Sequence, residues 1–288
     1  ISTGEVTFTS ILDEFGESEF IITAMDDGGV LNGGQNSYST SFNLSVLPVN
    51  DVPSFLVGDS QQILEDAGNR EVLSWATQIS RGPSNESDDK LCFYVSTDND
   101  DLFEDQNCDC FNDDGDFEII VQKACISDEG ILKYKTSEHK NGSATISLSL
   151  KDDGGIALGG IDQTSEQFFE VQVTAVNDAP SFIKGSNIIV DEDMGSLSTS
   201  QWATQIRKSP LGAEDEEDQV LTFNVSTQNS DLFSEIPVLD ESSGNLSYKL
   251  AENFNGIASI VISLSDDGGT ENGGVDTSED QTFSIKIR

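Results

Sequence analysis

Val49-Asn50-Asp51-Val52-Pro53-Ser54-Phe55 returns as Val176-Asn177-Asp178-Ala179-Pro180-Ser181-Phe182, and Trp75-Ala76-Thr77-Gln78-Ile79 returns as Trp202-Ala203-Thr204-Gln205-Ile206, both at a shift of 127 residues. A third signature occurs three times, as Asp26-Asp27-Gly28-Gly29, Asp152-Asp153-Gly154-Gly155 and Asp266-Asp267-Gly268-Gly269. Self-similarity at a long, fixed period is the mark of a tandem array, in which each repeat is one structural unit. Any fold proposed for this chain must therefore be built more than once along it.

The spacing fixes the phase. A glycine stands 22 residues before each Asp-Asp-Gly-Gly, at Gly4, Gly130 and Gly244. Residues 1–52 are thus expected to be the C-terminal half of one repeat, 53–179 a whole repeat and 180–288 another. The chain is expected to be a window from a longer array. No leader pattern precedes the array, as expected of a mature or excised segment. The 53–179 repeat carries an insertion at about 104–129: Phe103 to Gly130 spans 27 residues, against 11 from Phe233 to Gly244.

Within each repeat, short runs alternate apolar and polar residues. Phe42, Leu44 and Val46 share one face of their run, as do Leu221, Phe223 and Val225 of theirs, and the runs at 144–150 and 257–264 behave alike. A period of two rich in β-branched residues, broken by polar and glycine-rich turns, predicts half-buried strands. No segment keeps a helical period over three turns. Several short strands per repeat predict an all-β chain of antiparallel immunoglobulin-like sandwiches, with Trp75 and Trp202 filling the two cores.

Composition narrows the function. Asp and Glu number 53 against 14 Lys and Arg, a net charge of −39. A nucleic-acid backbone or an anionic membrane surface needs a cationic face, and this chain favours cations as partners instead. No apolar run is long enough to span a membrane as a helix. The single histidine removes most histidine-based catalytic schemes. Carboxylate pairs, which a glycosidase would need, recur at repeat-equivalent positions as a modular scaffold repeats its parts. The chain is therefore expected not to be an enzyme.

The linker Asn-Asp-x-Pro-Ser-Phe resembles the inter-domain motif of cadherins, and Asp-Asp-Gly-Gly is similar to the late Ala-x-Asp-x-Gly segment of cadherin repeats. The ordered set of Glu65-Asp66, Trp-Ala-Thr-Gln-Ile, Asp-Leu-Phe, Asp-Asp-Gly-Gly and Val-Asn-Asp-Ala-Pro resembles the cadherin-like tandem repeats of very large secreted bacterial surface proteins. That resemblance, which covers nearly the whole chain, implies extracellular sandwiches stacked in a line with Ca²⁺ between them. The residue chemistry agrees: Ca²⁺ takes six to eight oxygen ligands, several of them carboxylates, and an Asn-Asp pair offers amide, carboxylate and backbone oxygens together.

Carried over residue by residue, the resemblance implies linker ligands Asn50 and Asp51 at the first junction. Asp13 or Glu14 would join them from the preceding half-repeat, and Glu86, Asp88 and Asp152 from the following repeat. At the second junction it implies Asn177 and Asp178, with Glu65 and Glu138 from one side and Glu216, Asp218 and Asp266 from the other. Glu192 and Glu252 would serve a third. From one to three ions per junction are implied. The competing reading is a solvated acidic surface.

All four cysteines, Cys92, Cys108, Cys110 and Cys125, fall in the 53–179 repeat. An even count in a secreted-looking chain predicts two disulfides, with connectivity open. A Cys108–Cys110 bond would close a very small loop, so each is expected to join Cys92 or Cys125. A zinc site using these cysteines and His139 is the alternative. The acidic insertion could also hold a separate Ca²⁺ loop. Possible glycosylation sequons occur at Asn43, Asn85, Asn141, Asn224 and Asn245. Three roles remain open: an adhesin stalk or spacer, a filament subunit completed by a neighbouring copy, and a module that binds a surface protein or glycan through the insertion.

Overall fold

The alternation read from the sequence places its apolar residues inward. Along Gly142–Asp152, Ala144, Ile146, Leu148 and Leu150 are buried, and along Gly256–Ser265, Ala258, Ile260, Ile262 and Leu264 are. The computed structural model describes residues 4–288. It is all-β, with short 3₁₀ turns and no α-helix among the described residues.

Two separate hydrophobic cores result. One draws on residues from Phe55 to Val173, the other on residues from Phe182 to Ile287. Around the first lies a four-stranded sheet in the order Gln61–Leu64, Gln167–Thr174, Gly142–Asp152, Leu91–Thr97. A three-stranded sheet, Ala124–Ile126, Leu132–Lys135 and Asn69–Val72, and the pair Ser54–Leu56 with Thr77–Ser80 complete the unit. Around the second core the plan repeats. The four-stranded sheet runs Ile188–Val190, Gln281–Ile287, Gly256–Ser265, Thr222–Thr227, and Ser196–Thr199, Leu246–Leu250 and Phe233–Leu239 form the three-stranded one. Trp75 and Trp202 sit in these cores against Phe169 and Phe283, with ring centroids 4.5 and 4.3 Å apart. Each indole N–H donates to a backbone carbonyl, of Asp59 and of Ser186, so burial strands no donor.

The sheets are not purely antiparallel, as the sequence pattern had suggested. The first and last strands of each four-stranded sheet are parallel neighbours: Gln61–Leu64 beside Gln167–Thr174, and Ile188–Val190 beside Gln281–Ile287. The alternation of apolar residues is the same in either direction, so it does not distinguish them. Parallel placement sends the chain into one end of the unit and out of the other. It also sets the residue after the first strand beside the residue after the last. The Glu65 N–H donates to the Thr174 carbonyl, and the Glu192 N–H to that of Arg288.

Before Asn50 the described residues form one hairpin, Gly16–Met25 with Ser37–Val46. The insertion is a second hairpin, Gln106–Phe111 with Phe117–Gln122. Disulfides Cys92–Cys110 and Cys108–Cys125 tie it to strands Leu91–Thr97 and Ala124–Ile126. No cysteine is free, which corrects the zinc alternative at the thiols. Gln122 accepts from the Val95 N–H and donates to the Phe93 carbonyl, covering backbone groups that an edge strand otherwise leaves open.

Candidate metal centres

The Asp-Asp-Gly-Gly loops close on the linkers. Asp152 takes the Gly154 N–H on Oδ1, which bends the loop, and the same atom accepts from Asn50 Nδ2 at 2.9 Å. Asn50 Nδ2 also donates to the Ile161 carbonyl, and the Asn50 carbonyl accepts from the Ile161 N–H. The second linker repeats this bond for bond: Asn177 Nδ2 reaches Asp266 Oδ1 at 3.0 Å and the Val275 carbonyl at 2.9 Å. The motif glycine is required by this approach. A Cβ on Gly154 would lie 1.9 Å from Asn50 Oδ1, and one on Gly268 1.8 Å from Asn177 Oδ1.

Two short 3₁₀ turns, Ser84–Glu86 and Glu214–Glu216, each deliver a buried glutamate to the next linker residue. The Asp51 N–H donates to Glu86 and the Asp178 N–H to Glu216, at 3.0 and 2.6 Å. From the other side of the second linker comes Glu65, placed by the parallel strand pair. It accepts from the Val176 N–H and from Asn141 Nδ2. Glu65, Glu86 and Glu216 are 5%, 6% and 3% exposed, and Asp152 is 0% exposed.

These groups have oxygens to spare. Apart from Tyr134 Oη and Thr136 Oγ1, every buried side-chain polar atom without a hydrogen-bond partner among the described residues lies at one of the linkers. At the first they are Asn50 Oδ1, Glu86 Oε2 and Asp152 Oδ2. At the second they are Asp178 Oδ2, Glu216 Oε2, Asp266 Oδ2, Gln219 Oε1 and His139 Nδ1. Nearly all are acceptor-only oxygens, where a buried unpaired charge is costly.

The electrostatics agree. Burial is the main cause that lifts the carboxyls of Glu65, Glu86, Asp89, Asp178 and Glu216 above their ordinary values. At Glu86 the charges of Asp51, Asp89 and Asp13 add to it. Burial also pushes Asp152 up to about 6, against the lowering effect of the Asn50 amide and the Gly154 N–H. Among the described residues no lysine, arginine or histidine pairs with Asp13, Asp51, Glu86 or Asp152. An ion with oxygen-seeking chemistry fits this donor set, and Ca²⁺ is the hard cation that takes many carboxylate and carbonyl oxygens.

The remaining expected ligands divide. Asp13 and Glu14 are exposed and line one cleft with Asp51. Asp88 and Asp218 face solvent; one residue on, Asp89 and Gln219 turn inward. Asp89 raises the Asp152 pKa by its charge, and Gln219 donates to Asn177 Oδ1 at 2.6 Å. Glu138 is exposed too, and its neighbour His139 reaches the linker, 2.7 Å from Asp178. Glu252 is likewise exposed. Asp89 and Gln219 each directly precede a residue whose N–H donates to the second aspartate of Asp-Asp-Gly-Gly, Lys90 to Asp153 and Val220 to Asp267, bonds between distant segments that the sequence does not display. Of the sequons, Asn43, Asn85 and Asn224 are exposed, Asn224 while donating to Ser265 Oγ, and Asn141 and Asn245 are half-buried with their amides engaged within the fold.

Fold and site together define a tandem β-sandwich protein with acidic, oxygen-rich junctions. No family model matches the chain, and no curated protein matches it. Among solved structures it is similar to mouse protocadherin-24 EC1-3, at 14% identity and TM-score 0.39, over 94% of this chain and 80% of that one. It is similar to human protocadherin-24 EC1-2, at 17% and 0.42, over 83% and 99%. An endo-fucoidan hydrolase of glycoside hydrolase family 107 aligns at 13% and 0.28, over 96% of this chain and 34% of the enzyme. The first two are cadherin repeats, the family that the linker motifs resemble. Likenesses this loose place no residue, and the junctions are read from their own side chains.

Proposed function

We propose that the chain is a segment of an extracellular adhesion or spacer protein, with repeats at 53–179 and 180–288 and the end of another at 1–52, rigidified by Ca²⁺ at its junctions. The observation that supports it is the convergence, at each linker, of buried oxygens without hydrogen-bond partners from the linker and the repeat that follows it, with the Asp13 or Glu65 carboxylate reaching the linker from the side that precedes it. Without a cation these carboxylates repel and the junction flexes; with one they become ligands and the linker is fixed. At the first junction the ligands are drawn from Asp13, Asn50, Asp51, Glu86, Asp89 and Asp152. At the second they come from Glu65, Asp178, Glu216 and Asp266. Small-angle X-ray scattering on the whole chain, in Ca²⁺, in chelator and in Mg²⁺, tests this. A loss of maximum dimension only on Ca²⁺ removal supports the reading, and superimposable profiles reject it.

A second reading concerns the insertion. Phe117, Ile119 and Val121 lie exposed on one face of a hairpin that two disulfides hold rigid. A rigid apolar strip suits contact with a protein or glycan partner. Serine at all three positions should leave the scattering response to Ca²⁺ intact while abolishing that contact.

A further inference from the structure

The two linkers are not chemically equivalent. Asp13, His139 and Asn253 occupy corresponding turns, each in the left-handed region, with φ of 59°, 55° and 61°. Two of these side chains offer oxygen. Only His139, the one histidine of the chain, offers an imidazole nitrogen.

That nitrogen is surrounded by carboxylate. Asp66 spans the turn, its Oδ1 accepting from the His139 N–H at 2.9 Å and its Oδ2 lying 3.3 Å from His139 Nδ1. From the linker, Asp178 Oδ2 comes within 2.7 Å of the same nitrogen. His139 Nδ1 and Asp178 Oδ2 are both shut off from solvent. All three groups can bring one ligand atom within 4.8 Å of the others.

We propose that Asp66, His139 and Asp178 form a site for a divalent transition-metal ion, Zn²⁺ by the chemistry of its donors, with the Asp178 carboxylate shared between this site and the oxygen-only Ca²⁺ position next to it. Ligand atoms on a tetrahedral ion with bonds of roughly 2.0–2.1 Å lie about 3.3 Å apart. The Asp66–His139 separation already matches, and Asp178 must withdraw by about half an ångström. Imidazole with two carboxylates and one open position for water is a donor set that zinc accepts and calcium does not favour. The anchoring of Asp66 is independent of the ring: the Asn253 N–H donates to Asp193 in the same way, at 2.8 Å. The histidine is thus an addition to a turn that forms without it. The ion would bridge one repeat to the next linker, since Asp66 and His139 precede the linker and Asp178 belongs to it.

Because the chain has a single histidine, its ring NMR signals report on this site alone. The test is titration of the whole chain with Zn²⁺ in saturating Ca²⁺, at about pH 8, where an ordinary imidazole is neutral. The ring signals are expected to shift and saturate at one equivalent. His139→Asn, which places the residue of the third repeat in the same turn, should take up one fewer Zn²⁺ per chain. Asp66→Asn should weaken binding by at least about ten-fold. Ring signals that ignore stoichiometric Zn²⁺, or a His139→Asn chain that binds it as tightly, overturn the proposal and leave a His–Asp ion pair in its place. Whether Ca²⁺ alone changes the scattering is read on separate samples and bears only on the calcium reading.

Discussion

Asp152→Asn should change the sign of its effect with the ion present. Asp152 has no exposed surface, and its carboxyl is pushed up to about 6 from an ordinary value near 3.8. A folded-state pKa above the unfolded one adds stability at low pH, and that contribution disappears as pH rises through the folded value. For a shift of this size, the loss between about pH 4 and pH 7.5 amounts to up to about 3 kcal/mol. In chelator, the wild-type repeat should therefore weaken across that window. The Asp152→Asn variant carries a neutral amide there whose oxygen can still accept from Asn50 and Gly154, and it should be the more stable form at the upper end. The difference corresponds to roughly 10 °C in melting temperature for a unit of this size. In Ca²⁺ the order should reverse, because the ion turns the carboxylate into a ligand that the amide replaces poorly. Thermal unfolding by calorimetry, for both proteins in both buffers along the pH series, measures this. Equal destabilisation by Asp152→Asn with and without Ca²⁺ would show that the hydrogen bonds of Asp152 outweigh its burial, and would remove the case for a cation there.

Gly154→Ala should drive the new Cβ into Asn50 and free the first linker, read as faster proteolysis there in Ca²⁺, with the second linker unaffected. Glu65→Gln should lower Ca²⁺ affinity at the second junction only, as measured by calorimetric titration; equal loss at both junctions would refute the assignment. Reducing both disulfides should cost about 2–4 kcal/mol of stability per bond, concentrated at the inserted hairpin, while the Ca²⁺ response persists. Trp202→Ala should destabilise the second core by about 3–5 kcal/mol in chemical denaturation and leave the first core's transition in place.

Much of the fold was legible because the chain states the pattern of its repeat twice. The Trp-Ala-Thr-Gln-Ile block and the alternating runs mark buried positions, and burial is what the sequence pattern records. Strand direction was not legible, since Ile63 and Val171 alternate with polar neighbours in the same way whichever way their strands run. At the candidate site the linker asparagines stood out, and the structure shows why: each is gripped by an Asp-Asp-Gly-Gly loop from far along the chain. The adjacent choices were harder. Whether Asp88 or Asp89, or Glu138 or His139, turns toward the linker depends on a tight turn of one or two residues. His139 itself has φ of 55°, and residue type alone does not reveal such a turn.

The parallel pairing of first and last strands has a mechanical consequence. In the proposed array, tension would reach the first strand of the four-stranded sheet at its N-terminal end, through Ser54–Leu56 and its pairing with Thr77–Ser80, and the last strand at its C-terminal end. In a parallel pair those forces run along the strands in opposite directions, so Gln61–Leu64 must slide past Gln167–Thr174 with all its hydrogen bonds loaded together. Antiparallel terminal strands would instead be peeled apart one bond at a time. Resistance to such forced opening is governed by the unfolding rate rather than the equilibrium stability. In such an array, this pairing lets each sandwich bear load along the line on which the array would join it to its neighbours.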